Sequence, residues 1–110
     1  MIEKAIRLMK AATSKTLLGN LKWSEIASGA YQTTVAEGLI RVSRFDPEED
    51  GRDGLDVSVS DRIGRVIAGG EFAGAELEYP VVFALWQAAR DSAERGDEAL
   101  DKMLESLSAK

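Results

Sequence analysis

The chain has 110 residues, a length that suits one domain and is short for two. Nineteen acidic residues against fourteen basic ones leave a net charge of −5, the opposite sign to a general nucleic-acid binder, whose affinity comes from Lys and Arg on phosphates. Cysteine and histidine are both absent, which excludes disulfide staples, thiolate nucleophiles and the commonest base and metal ligand.

The first ten residues alternate apolar and charged side chains, unlike the unbroken apolar core of a signal peptide. The longest apolar run, Val81–Trp86, has six residues, whereas a membrane span needs about 20. A cytoplasmic protein without a membrane partner is the expectation.

Ile2, Ile6, Met9 and Leu17 recur near a helical period, with Lys4, Arg7 and Lys10 between them. This predicts a first helix over 2–18, stopped by Gly19–Asn20. Leu21–Lys22–Trp23 reads as a short extended segment, with Trp23 as a core plug beneath a sheet.

The period then changes. Tyr31–Ala36 and Leu39–Phe45 flank Glu37–Gly38, which reads as a two-residue hairpin turn. That turn pairs Val35 with Ile40 and Thr33 with Val42 on an apolar face. It pairs Thr34 with Arg41 and Gln32 with Ser43 on a polar one. Asp46–Gly54 is a polar loop. Leu55–Ser60 alternates strictly, with Leu55, Val57 and Val59 on one face and Asp56, Ser58 and Ser60 on the other. Asp61–Gly64 leads into Arg65–Ala68, with Val59 opposite either Val66 or Ile67.

Pro80 opens the C-terminal helical region. Val82, Leu85, Trp86, Ala89 and Ala93 form one apolar stripe; Leu100, Met103, Leu104 and Leu107 form a second. Gly96–Asp97 between them reads as a stop followed by a cap, so two helices are favoured over one long helix bent there. The predicted architecture is α+β: an N-terminal helix, a four-stranded antiparallel β-meander, and one or two C-terminal helices packed on one sheet face.

Candidate sites follow from this layout. Asp46, Glu48 and Asp50 with Gly51 match the opening of a calcium loop, but the twelfth place holds Val57 instead of Glu, and the flanking elements are strands. A solvated loop without metal is the expectation. The open sheet face carries Gln32, Thr34, Arg41, Ser43, Ser58 and Ser60, with Arg44 and Arg65 at its rim. Such a face either meets water or docks a partner, with Arg as anchor. Trp23 and Trp86 read as core residues rather than stacking platforms. Leu100, Met103, Leu104 and Leu107 either pack back on the body or form the seam of a homodimer.

Enzyme signatures are lacking: no phosphate-loop or dinucleotide glycine pattern, no nucleophile elbow, and acidic residues placed in loops and on helix surfaces. The expectation is a protein-interaction module with no cofactor and no catalytic residue. Two other readings stay open. One is an inhibitor that offers an acidic surface to a basic groove. The other is a small-molecule or nucleotide site around Arg41.

Leu21–Lys22–Trp23, Tyr31–Gln32–Thr33–Thr34, Gly38–Leu39–Ile40–Arg41–Val42–Ser43–Arg44, Asp61-x-x-Gly64–Arg65–Val66–Ile67 and Leu85–Trp86-x-Ala88–Ala89–Arg90 run through most of the chain. The pattern resembles small uncharacterised bacterial proteins often encoded near phage or mobile-element genes. The resemblance implies a bacterial or phage origin and a shared set of turn and core residues. It carries no activity.

Overall fold

The computed structural model describes residues 2–36, 38–44, 54–73 and 76–108. Helix α1 spans Ile2–Leu17. Strands β1 (Ser24–Ala27), β2 (Ala30–Val35), β3 (Gly38–Arg44), β4 (Gly54–Ser60) and β5 (Val66–Ala73) follow, then helix α2 (Tyr79–Ser108). The strands pair in sequence order, each antiparallel to the next. The class is the α+β arrangement expected, with five strands instead of four.

The additional strand, β1, lies at the sheet edge, and all its side chains are exposed. An edge strand with no buried face has no reason to alternate, so Ser24–Glu25–Ile26–Ala27 carries no period-two signal. A bulge between Glu25 and Ala27 shortens its regular pairing further.

Both predicted registers need correction. In the first hairpin Val35 pairs with Gly38, Thr33 with Ile40 and Tyr31 with Val42. The turn therefore falls one residue earlier than Glu37–Gly38. Ala36 takes the left-handed backbone (φ 51°) there, and Gly38 belongs to the strand. The reason lies across the sheet: a Cβ on Gly38 would sit 2.6 Å from the Ser60 carbonyl oxygen. The glycine serves close strand approach, not the turn. The apolar and polar faces survive this shift, because moving the turn by one changes each pair by two residues.

In the second hairpin, Ser60 pairs with Val66 and Val59 with Ala68, with Ile67 left over at a bulge. Val59 thus faces neither Val66 nor Ile67, and both of those residues are exposed. The connection is fixed locally. Asp61 Oδ1 accepts hydrogen bonds from the Ile63 and Arg65 backbone N–H groups at 2.9 and 3.0 Å, and Gly64 supplies a left-handed backbone at φ 93°. An Asx turn of this kind fixes the loop length, and the strand takes up the odd residue as a bulge.

The core lies between the apolar sheet face and the two helices. Met9 and Ala12 of α1 and Val82, Leu85, Trp86 and Ala89 of α2 meet Ile40, Val42, Leu55, Val57 and Val59 of the sheet. Trp23 is buried as expected, and its indole N–H donates to Thr16 Oγ1 at 2.8 Å. Helix α1 ends in a Schellman cap: Asn20 N–H donates to the Lys15 carbonyl and Gly19 N–H to that of Thr16, with Gly19 at φ 80°.

The C-terminal region is one helix of 30 residues, not two. Gly96 keeps helical backbone, and nothing stands within 4 Å of where its Cβ would be. A glycine in a helix interior costs about 1 kcal/mol relative to alanine, which strains a helix without breaking it. No helix among the described residues is long and apolar enough to cross a membrane.

Candidate functional site

Two surfaces stand apart from the core. The first is the outer sheet face. The register sets Gln32, Arg41 and Ser58 side by side on three successive strands, and Arg41 Nε donates to Gln32 Oε1 at 3.2 Å. The next row is Thr34, Leu39, Ser60 and Val66; the row on the other side is Ala30, Ser43, Asp56 and Glu71. All six residues expected on the open face are therefore on it. The pairs expected between them are not: Arg41 faces Gln32 instead of Thr34, and Ser43 faces Ala30 instead of Gln32.

The face is also less uniformly polar than expected, since Leu39 and Val66 stand in it. Asp56 lies opposite Glu71. Partial burial pushes the Asp56 carboxyl above the usual carboxylate range, and the Glu71 charge adds to the rise. Asp46, Glu48 and Asp50, where a calcium loop was considered, lie outside the described residues. Among the described residues no three acidic side chains gather in a way that holds a metal.

The two rim arginines are elsewhere. Arg44 follows Ser43, so its side chain leaves from the opposite face, and its guanidinium lies 5.5 Å from the Trp86 ring centre. Arg90 approaches the same ring at 5.0 Å. Trp86 also makes an edge contact with Tyr31 and donates its indole N–H to the Gly29 carbonyl at 3.0 Å. The Gly29 hydrogen bond ties α2 to the β1–β2 turn, and the Arg44 contact ties it to β3. Arg65 belongs to the hairpin loop, where its Nε donates to Asp61 Oδ2 at 3.0 Å.

The second surface is the C-terminal half of α2. The face of α2 that enters the core carries Val82, Leu85, Trp86 and Ala89, and the helix then runs on past the body. Every residue from Glu94 to Ser108 is exposed. The second apolar stripe does not pack back on the body: Leu100, Met103 and Leu104 are about 60% exposed and Leu107 is 81% exposed. Fourteen residues of helix, 95–108, project about 20 Å at 1.5 Å per residue.

Where this projection leaves the body, a groove runs between the end of α1 and α2. Leu17, Leu21, Trp23, Gly96 and Ala99 are among the residues that line it. Leu17 is itself 68% exposed. The sequence showed the leucine stripe. Whether the stripe packs back on the body or stands clear was open from the sequence, because the helix length depended on the reading of Gly96.

Comparison of the chain with protein families, with curated proteins and with solved structures finds no match.

Proposed function

We propose that the protein is an interaction module whose binding element is the projecting half of α2. One observation carries this reading: a helix about 20 Å long stands clear of the body with four large apolar side chains on one stripe. An isolated helix of that length is marginal in water, and its stability normally comes from packing of the apolar face. A contiguous apolar patch of several hundred Å² on a monomer marks a surface that meets something else. The anchored half of α2 supplies rigidity. Trp86, held by Tyr31, Arg44, Arg90 and the Gly29 carbonyl, fixes the direction in which the free half points.

A photo-crosslinking side chain placed at Leu104, and separately at Arg41 on the outer sheet face, tests this reading in the source cell. The expected result is an adduct from position 104 that disappears when Leu100 and Leu107 are both changed to Asp. Position 41 should give none. No adduct from position 104, or one indifferent to those two changes, would overturn it.

A further inference from the structure

The stripe has a property that narrows the choice of partner. Trp86, Ala89, Ala93, Gly96, Leu100, Met103 and Leu107 fall at alternating steps of three and four residues, the spacing of a coiled-coil seam. The first three lie on the face that covers this chain's own sheet and α1. The remaining four continue that face into solvent. We propose that the occupant of the free seam is a second copy of this chain, lying antiparallel, so that each projecting helix covers the other. This rests on the reading of α2 as the binding element.

Geometry dictates the orientation. A parallel partner would have to continue along the seam past Trp86 and Ala89, where the body already lies. An antiparallel partner leaves in the other direction, with its own body beyond Leu107. Its tip then reaches the groove at Leu17, Gly96 and Ala99.

The seam is self-complementary in that orientation. Setting Leu100 against the partner copy's Met103 places Leu107 against Gly96, so the largest overhang meets the residue with no side chain. Gly96 has open space where a Cβ would be. The structure of the single chain gives no reason for a glycine in the middle of this helix; a closely approaching leucine supplies one.

The area places the interface at the small end of the specific range. At their observed exposures the four stripe residues and Leu17 uncover on the order of 600 Å² per copy, against roughly 800 Å² per partner in a standard stable interface. The dimer should therefore be weak, with a Kd of about 1–100 µM. Charge modulates it. By helical spacing Asp97 borders the seam, Glu98 and Glu105 point away from it, and Asp101 and Lys102 stand equally far round on its two sides. Each copy carries a net charge of −5, and Asp97 adds a negative charge at the border of the seam. Repulsion there is screened by salt, so self-association tightens as salt rises, the opposite of docking on a basic partner.

Sedimentation of the full chain over a range of concentrations tests the proposal. The wild type should pass from monomer to dimer near the stated Kd and tighten between low and high salt. Leu107→Asp should weaken the dimer at least tenfold, while Asp97→Asn tightens it. Thermal melts of dilute samples show whether each variant still folds. The chain has no native cysteine, so single thiols report orientation. A mixture of Gly96→Cys and Leu107→Cys chains should form the mixed disulfide, and Leu107→Cys alone should not. A chain that stays monomeric at several hundred micromolar, or a dimer that links 107 to 107, overturns the proposal. If such a monomer still crosslinks through position 104, the interaction module stands with a different partner; if position 104 also captures nothing, both readings fall.

Discussion

At Thr16, a single hydroxyl satisfies a tryptophan. The Thr16 Oγ1 accepts from the Trp23 indole and itself donates to the Ala12 carbonyl at 2.7 Å. Both residues are buried, so Thr16→Val keeps the shape and removes the acceptor. An orphaned buried N–H costs about 1–3 kcal/mol. Urea unfolding followed by tryptophan fluorescence should show that loss with an unchanged slope. Gly38 fails differently: a methyl group there meets the Ser60 carbonyl oxygen at 2.6 Å, and neither backbone can yield without breaking the ladder. Gly38→Ala should cost about 2 kcal/mol, read as a fall in Tm of roughly 8–16 °C for a domain of this size.

Two aspartates on the β4–β5 hairpin titrate in opposite directions. Backbone N–H donation from Arg65 leads the causes that hold Asp61 below the usual carboxylate range. Its contribution to stability is present above the ordinary value of 3.8 and is lost as pH falls through the lowered one. Asp56 is raised by partial burial and by Glu71, so ionising it opposes folding. That contribution is favourable at pH below 3.8 and is lost as pH rises through the raised value. Asp56→Asn should therefore raise the denaturation midpoint at pH 7. The gap from the wild type should narrow as pH falls below about 4. Equal gaps at both pH values would mean that Asp56 stays at its ordinary value.

At the scale of elements, legibility followed burial. Leu55–Ser60 is buried on one face, and its alternation placed every side chain correctly. The polar face residues Gln32, Thr34, Arg41, Ser43, Ser58 and Ser60 were found by the same rule. Their cross-strand neighbours were not, because pairing depends on where the turn falls. The turn falls at Ala36 for a reason that comes from β4. Strand β1 left no pattern, since an exposed edge asks nothing of its side chains. Gly96 misled because a glycine after an apolar stripe reads as a stop, and only the tertiary setting distinguishes a stop from an interior position. Gly96→Ala tests that position. In the single chain nothing obstructs the added methyl, so in dilute, monomeric samples α2 should gain about 0.5–1 kcal/mol and circular dichroism should show a more persistent helix.

For the whole molecule, the division between body and projection has a thermodynamic signature. The core residues of the two helices and the sheet form one buried cluster, so the amides of β3, β4 and residues 82–93 of α2 should open together, at the global unfolding free energy. The exposed half of α2 contributes nothing to that cluster. Its backbone bonds are held by local helix energetics alone, and a helix of that length frays. Two experiments therefore converge. Ending the chain after Gly96 should lower helicity while leaving the Tm of a dilute sample within a few degrees of the full chain. Hydrogen exchange should show residues 97–108 opening far faster than β3 and β4 at low concentration and slowing as concentration rises. That slowing is the part that matters for function: protection gained on the free half of α2, with the outer sheet face unchanged, assigns association to the helix and not to the sheet. Protection appearing instead on the row of Gln32, Arg41 and Ser58 would move the binding surface to the other side of the molecule.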